Sequence, residues 1–529
     1  MLEFEQTFQL NHDLGWLDNE TALIARYPVG RIGDYARITA TNTIWNWKDG
    51  AWVDTLITAS VFGGNALTFD DTDPATVGTP PVNKIFQGTY NGRIWTKQPD
   101  GEIRYIKYDD GDWYGVEWDV TVSSPDLKRI GNYDLHRSLP IQSKMYACLL
   151  KDDGTENYKL DPTNWDLRED GVTASDRTGV DGQVQIYLPG YYYKFEQEGN
   201  YRRLKLSEYP LSGFLYQKPM YVSAYEAALD RVNLKLASVK NMSADFRGGN
   251  NDATKDGGDA TLLGKPVTSI SRTNFRTYAR ARGAGWEMNV YQAERTLFWF
   301  FMTEFATRNS QKPVNAALDA NGFHQGGLGD GVTAVSSTDW SNFNGYYPIV
   351  PTGASDSLAS GTGEVAFALP ATFGDGSVSV MVNRYRGVEM PFGHIWKNTD
   401  GINVRIAAND DADPTSKVFV SDDPANWNDN NYDGYELQGE IPRTNGYIKE
   451  MLPFNIMPLK VGGGSSTYWC DYSYQSNIPA DGSAAYLRTV LFGGDASYGS
   501  DAGFGFAHSH FSPSSTNATI GSRVCFIPA

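Results

Sequence analysis

The stretch Leu491-Phe-Gly-Gly-Asp-Ala-Ser-Tyr-Gly-Ser-Asp-Ala-Gly-Phe-Gly-Phe-Ala-His-Ser-His-Phe511 constrains this chain more than any other. Gly493, Gly494, Gly499 and Gly503 permit positive φ or close backbone approach, so they punctuate short strands and turns. Between them, Phe504, Phe506, His508 and His510 fall on one side of an alternating run, and Gly505, Ala507 and Ser509 on the other. One face is large and adhesive; the other is small. After Gln475 the chain contains no Lys, Glu, Gln, Met or Trp, yet two of its six histidines lie there. Such a segment is suited to presenting side chains to a partner, and the alternative is a Gly/Ser-rich surface loop that is polar by composition.

A chain of 529 residues is too long for one ordinary core, so two or three domains are expected. An aromatic content of 13% with glycine and proline scattered throughout suits a turn-rich, β-dominated globular protein. The net charge of −18 argues against a nucleic-acid partner, which needs clustered Lys and Arg, and keeps copies apart in solution. Cys148, Cys470 and Cys525 imply no disulfide framework, and a neighbourhood such as Val524-Cys525-Phe526 reads as a buried thiol. The start, Met1-Leu-Glu-Phe-Glu-Gln-Thr, lacks the regions of a signal peptide, and no apolar run approaches the ~20 residues that span a bilayer. The expected product is soluble, made in a cytoplasm, and leaves it by lysis or as part of a particle.

Two N-terminal segments share a plan of alternating aromatic strand, Asp-Gly turn and returning Trp. They are Ile44-Trp-Asn-Trp-Lys-Asp-Gly-Ala-Trp-Val and Ile106-Lys-Tyr-Asp-Asp-Gly-Asp-Trp-Tyr, each read as a β-hairpin. A Pro/Gly/Thr/Asp-rich excursion runs between them from Phe69 to Val82. Trp45, Trp47, Trp52 and Trp113 are read as small-domain core rather than a sugar-stacking platform. Further on, Val184-Gln-Ile-Tyr-Leu-Pro-Gly-Tyr-Tyr-Tyr-Lys-Phe and Arg203-Leu-Lys-Leu form strands. Asn274 to Arg282 suits a short helix ended at Gly283, and Asn289 could cap a longer one carrying Leu297, Phe298, Phe301 and Phe305. From about residue 312 strands and polar loops are expected, with few helix signals. The fold class is mixed and β-rich: small all-β modules over 1–125, then a large α+β domain over 126–529 with its display segment at 490–525.

Several segments together resemble the C-type-lectin fold of phage receptor-binding proteins. They are Gly264 to Met288, the helix after it, Arg386-Gly-Val-Glu-Met-Pro-Phe-Gly-His-Ile-Trp-Lys-Asn-Thr-Asp-Gly-Ile-Asn403, and Gly493-Gly through Gly521-Ser-Arg. The branch includes the variable proteins of diversity-generating retroelements and is distantly similar to formylglycine-generating enzymes. The hairpin region from Gly33 to Thr55 looks like short β modules of phage tail and head fibres. In the diversified branch, adenines of Asn codons are randomised, which yields codons that cannot encode Lys, Glu, Gln, Met or Trp; their absence after Gln475 fits that mechanism. By position, the resemblance makes Asp495, Ser497, Tyr498, Ser500, Asp501, Phe504, Phe506, His508, His510 and Phe511 the solvent-facing, receptor-binding candidates. It makes Gly493, Gly494, Gly503, Ile520, Gly521 and Arg523 framework, with Ser522 departing from the usual aromatic or apolar residue. It implies a virion protein, a tail, collar or head fibre or spike, whose lectin-like domain attaches to a host-surface glycan or protein. The N-terminal region would contact other virion proteins, and a homotrimer is the usual fibre solution. The alternative is a head or collar decoration protein whose lectin-like domain makes subunit contacts.

Sharper chemistry finds little support. The strings Gln98-Pro-Asp100 and Trp427-Asn-Asp429 each match half of a lectin calcium element but lie on different expected domains. The acidic loop Asp422 to Asp433 lacks the spacing of an established calcium loop and reads as a solvated turn. Cys470 and Cys525 lack the spacing of a paired oxidase site. No carboxylate pair suits glycoside hydrolysis. The resemblance makes Glu389 and Asp400 anchors of a core turn, and His394 reads as a satisfied interior histidine. No nucleotide fingerprint appears. No catalytic residue, metal ligand set or cofactor is expected, and the chain is read as a non-enzyme with no nucleic-acid partner and no membrane insertion.

Overall fold

The computed structural model describes residues 12–30, 34–41, 43–48, 50–58, 66–69, 72–80, 85–90, 93–97, 101, 103–105, 112–475 and 477–528. The chain divides into two compact units, Met1–Asp112 and Trp113–Ala529. The architecture is β-rich and mixed, with short helices between many strands.

In the first unit, His12–Leu17, Asp34–Ile38, Thr43–Lys48 and Ala51–Thr58 form one sheet in that order. The last two strands are the hairpin read from Ile44 to Val53, with Trp47 opposite Trp52. Trp45 and Trp52 are buried with Leu17, Leu23, Ala36 and Ile38, and Trp47 meets Trp52 edge-on at 5.5 Å, so these indoles are core. A helix absent from the sequence reading, Glu20–Arg26, starts where the Asn19 side chain accepts the Ala22 N–H. A second sheet runs Ala66–Phe69, Ile85–Tyr90, Arg93–Lys97, Ile103–Tyr105. The excursion between the first two of these strands is tied down by Trp95 Nε1 donating to Thr72 O and Lys97 Nζ to Pro74 O, each at 3.1 Å.

The turn of the second expected hairpin, Asp110-Gly111, lies outside the described residues. Its return strand, Tyr114–Asp119, has both edges taken by Lys128–Gly131 and Tyr201–Ser207. Tyr114 and Val116 are core residues of the second unit, so the boundary falls after Asp112 and not at 125. Local alternation shows a strand; which neighbours bury its faces is a tertiary matter.

The second unit contains three principal sheets. One runs Lys128–Gly131, Tyr114–Asp119, Tyr201–Ser207, Tyr191–Glu198, Leu215–Gln217, and another Glu156–Lys159, Tyr146–Leu150, Gln183–Leu188, Met220–Ser223, Val524–Phe526, Trp286–Met288. The strand-forming run from Val184 to Phe195 is thus cut at Pro189-Gly190 and shared between two sheets, because proline cannot donate to a ladder. The third and largest sheet runs Glu436–Ile441, Ser416–Val420, Trp396–Ile406, Tyr486–Gly493, Gly503–His508, Tyr472–Tyr474, Gly446–Met451, Pro458–Val461, with Ile520–Gly521 pairing Trp396 and Lys397 in parallel.

The helix Arg272–Arg280 is capped by Ser271, and the helix Tyr291–Phe305 is buried all round. Asn289 does not cap the second. Its amide donates to Glu294 Oε1 at 2.7 Å and Thr399 Oγ1 at 2.9 Å, because the buried Glu294 carboxyl needs a donor. A further helix, Ser337–Asn344, is capped by Ser336 and has no counterpart in the sequence reading. Among the described residues, no helix is long and apolar enough to cross a membrane.

Candidate functional site: an aromatic face at the chain terminus

The terminal segment leaves the strand Tyr486–Gly493, turns, and returns as Gly503–His508. The turn opens on Gly493 and Gly494 at φ +94° and +78°, a conformation that residues with a Cβ rarely adopt. At Gly503 the reason is space, since a Cβ would fall inside the Asp471 carboxylate and beside Ser310 Oγ. At Gly521 it would strike the Ile395 side chain. The framework glycines named from sequence therefore hold this turn by measurable contacts.

The expected single adhesive face does not form. Phe492 pairs with Ala507, yet its neighbour Gly493 pairs with Gly503, so the register breaks and the intervening residues turn to different sides. Phe504 enters the core, with ring centres 5.7 Å from Phe298, 5.5 Å from Phe301 and 5.8 Å from Phe392. Phe506 and His508 lie on the other side, 4.7 and 5.0 Å from Trp396. Asp495, Phe504, Phe506 and His508 are all buried, which corrects their assignment as solvent-facing. Ser497 and Ser500 are exposed, and Tyr498, Asp501, His510 and Phe511 half-buried.

What reaches solvent is a composite rim of rings that stands on a buried aromatic floor. The floor is Trp396, Phe506 and His508. The rim is Tyr498, Phe511 and His510 from the terminal segment together with Tyr472 and Tyr474 from the neighbouring strand and Tyr447 from the next. Tyr498 sits 5.1 Å from both Trp396 and Phe506, Tyr472 6.0 Å from Phe506, Tyr474 4.6 Å from His508 and Phe511 5.0 Å from His508. Mostly edge-on packing of this kind fixes each ring by its neighbours. The Tyr447 hydroxyl donates to Asp501 and lies 3.2 Å from Ser500 Oγ, and Gln311 Nε2 donates to the carbonyls of Gly499 and Ala502. Tyr447, Tyr472 and Tyr474 were missed in the sequence, although Tyr472-Ser-Tyr474 shows strand alternation; no local signal says that this strand joins Gly503–His508 in parallel.

Burial sets the electrostatics. It pushes the Asp495 carboxyl up despite two hydrogen bonds from Ser497, and pushes Asp501 and the Tyr447 hydroxyl up as well. Burial holds His508 down at about 3, with His510 adding to the effect, and lowers His510 with help from Arg488. The two imidazoles are neutral at neutral pH.

Behind the face lies a charged lattice that carries the framework. Arg523 is wholly buried and donates to the carbonyls of Ser223, Glu389 and Met390. Ser522, polar where the resemblance implies an apolar residue, donates to Asn398 O at 2.8 Å and accepts the Asn289 N–H, so its hydroxyl closes a buried gap in hydrogen bonding. Glu389 accepts from Gly353 N, Ser355 and Arg384, and Asp400 takes Arg276 in a two-pronged pair. His394 Nε2 accepts the N–H groups of Ile349 and Val350, which leaves Nδ1 to donate to Glu226 at 2.6 Å. Glu226 also meets Lys397 at 3.0 Å; burial would raise its carboxyl, but Lys397 and His394 hold it near 2.

The loop from Asp422 to Asp433 docks and does not float. Asp429 is held by Arg272 at 2.7 Å and Arg276 at 2.9 Å; burial would raise it, but the arginines bring it to about 2. Its charge is spent on the helix Arg272–Arg280. Gln98-Pro-Asp100 lies outside the described residues. Cys148, Cys470 and Cys525 are free and buried, and burial pushes Cys470 and Cys525 up to about 12.

No protein-family model matches the chain, and no curated protein matches it significantly in sequence. Among solved structures it is similar to the Major Tropism Determinant U1 variant, at 12% identity and a TM-score of 0.25 over 94% of this chain and 95% of that one. The M1 and P3c variants align at 12% and 13% identity, both with a TM-score of 0.24, each over 97% of this chain and 97% and 98% of their own.

Proposed function

We propose that the chain is a phage virion fibre or spike protein whose C-terminal unit, with a C-type-lectin-like fold, binds a host cell-surface protein or glycan. The observation that carries this reading is the face itself. Half-buried aromatic rings and short hydroxyl or carboxylate groups stand on a rigid, buried glycine and arginine framework, so little conformational freedom is lost on contact. Contact residues in this reading are Ser497, Tyr498, Ser500, Asp501, His510 and Phe511, with Tyr447, Tyr472 and Tyr474 as a shared wall. Asp495, Phe504, Phe506 and His508 then act from beneath, by holding the rim. Individual sites can be weak when many copies on one particle act together, as in a homotrimeric fibre. The N-terminal modules would join the protein to the particle.

The test separates adsorption from assembly. Particles carrying Tyr498→Ala with Asp501→Ala are expected to form in normal number and to adsorb at least ~10-fold less, the scale of a lost interface anchor. Failed assembly with normal adsorption of the survivors would favour the head or collar decoration reading.

A further inference from the structure

We propose that His508 and His510, with Tyr474 beside them, form an open site for a divalent transition-metal ion of the zinc, cobalt or nickel class. The inference does not rest on the host-binding reading and stands or falls apart from it. Parallel pairing sets Tyr474 directly opposite His508, and His510 follows two residues on. The three ring centres make a compact triangle, with sides of 4.6 Å (Tyr474 to His508), 5.6 Å (Tyr474 to His510) and 5.9 Å (His508 to His510). Two imidazoles sharing one ion through metal–nitrogen bonds of ~2.0–2.1 Å put their ring centres roughly 5–6 Å apart.

Both ring nitrogens of His508 and Nδ1 of His510 are buried without a hydrogen-bond partner, and His508 is only 4% exposed. A buried imidazole with nothing to bind is costly, and a borderline-soft ion is the ligand that two neutral imidazoles suit. No carboxylate belongs to the triangle, so a hard cation such as calcium is not what it fits. Among the described residues no three His, Cys, Asp or Glu converge on one point. The ion would therefore hold two nitrogens of this chain and exchangeable positions, and bind reversibly and more weakly than a four-ligand structural zinc. The half-buried His510 at the rim is the side of entry.

Untagged full-length protein is titrated with Co²⁺, followed by visible absorption, and with Ni²⁺ by calorimetry, at neutral pH. One ion per chain is expected. His508→Phe and His510→Ala should each weaken binding about tenfold or more, and Tyr474→Phe should leave the stoichiometry unchanged. His510→Ala, at the rim, keeps the result readable if His508→Phe fails to fold, and near-ultraviolet dichroism monitors the fold of each. Absence of binding by the parent protein at millimolar Co²⁺, or undiminished binding in the double variant, would overturn the site.

Discussion

At the scale of single residues, the terminal segment is held by positions with no freedom to change. Gly503 has a carboxylate where its Cβ would go, and that carboxylate is itself buried, raised well above the ordinary aspartate range, and occupied by the Gly505 N–H at 2.7 Å. Gly503→Ala must push the strand off Asp471, and an expected loss of ~2–3 kcal/mol follows from overpacking. Urea denaturation with an unchanged m-value would register it; a loss under ~0.5 kcal/mol would mean the turn yields freely. His508 offers a second test. Its folded pKa of about 3 lies below the ordinary histidine value, so between about pH 6.5 and 3 the unfolded chain takes up a proton that the folded chain does not. Its contribution to stability therefore declines as pH falls through that window. His508→Phe removes the titration while keeping an aromatic ring against Trp396 and Tyr474. Relative to the parent, the variant should gain about 1.4 kcal/mol per pH unit on going from pH 6 to pH 4. Denaturation at several pH values gives the difference directly, and parallel curves for the two proteins would refute the assignment.

At the scale of elements, the sequence revealed the pieces whose cause is local. The Ile44–Val53 hairpin and the helix bearing Phe298 and Phe301 follow from turn chemistry and periodicity, and the helix expected over Asn274 to Arg282 forms two residues earlier, as Arg272–Arg280. The glycines of the terminal turn were legible for the same reason. What stayed hidden depends on partners far along the chain. Phe504 and Phe506 look alike in sequence, yet a register break sends one to Phe298 and the other to Trp396. Tyr447 and Tyr474 reach the face only through strand pairing, and Asp429 loses its solvated character only because Arg272 and Arg276 come to meet it. The strand Val524–Phe526 belongs with these long-range features. It fills the gap between Met220–Ser223 and Trp286–Met288, and Arg523 just before it is clasped by three carbonyls. Arg523→Ala leaves those three carbonyls without their donor and removes a buried cation from the field of Glu226, which keeps Lys397, so a loss of ~3–5 kcal/mol is expected. A chain ending after Ser522 should fail to reach the soluble fraction; soluble, protease-resistant product would show that the last strand is dispensable.

At the scale of the whole molecule, the division after Asp112 separates sheets that, among the described residues, share no strand. All three principal sheets of the second unit, and the helices packed with them, draw their strands from residues beyond 112. Among the described residues, the hydrophobic cluster that includes Tyr114, Phe298, Trp396 and Phe504 draws its members from beyond Asp112. A unit of that size buries enough apolar surface to fold by itself. The fragment 113–529 is therefore expected to be soluble and to unfold cooperatively at the midpoint of the corresponding transition in the full-length protein, within about 2 °C when both are measured at one concentration. A fragment begun at 126 is expected to behave differently. It lacks Tyr114–Asp119, the strand between Lys128–Gly131 and Tyr201–Ser207, and so exposes the ladder edges of both and uncovers Trp469, whose ring lies 5.6 Å from Trp118. That fragment should aggregate or melt well below the longer one. Equal stability of the two would place the boundary at 125 after all, and would mean that the strand opened by Trp113 serves the first unit.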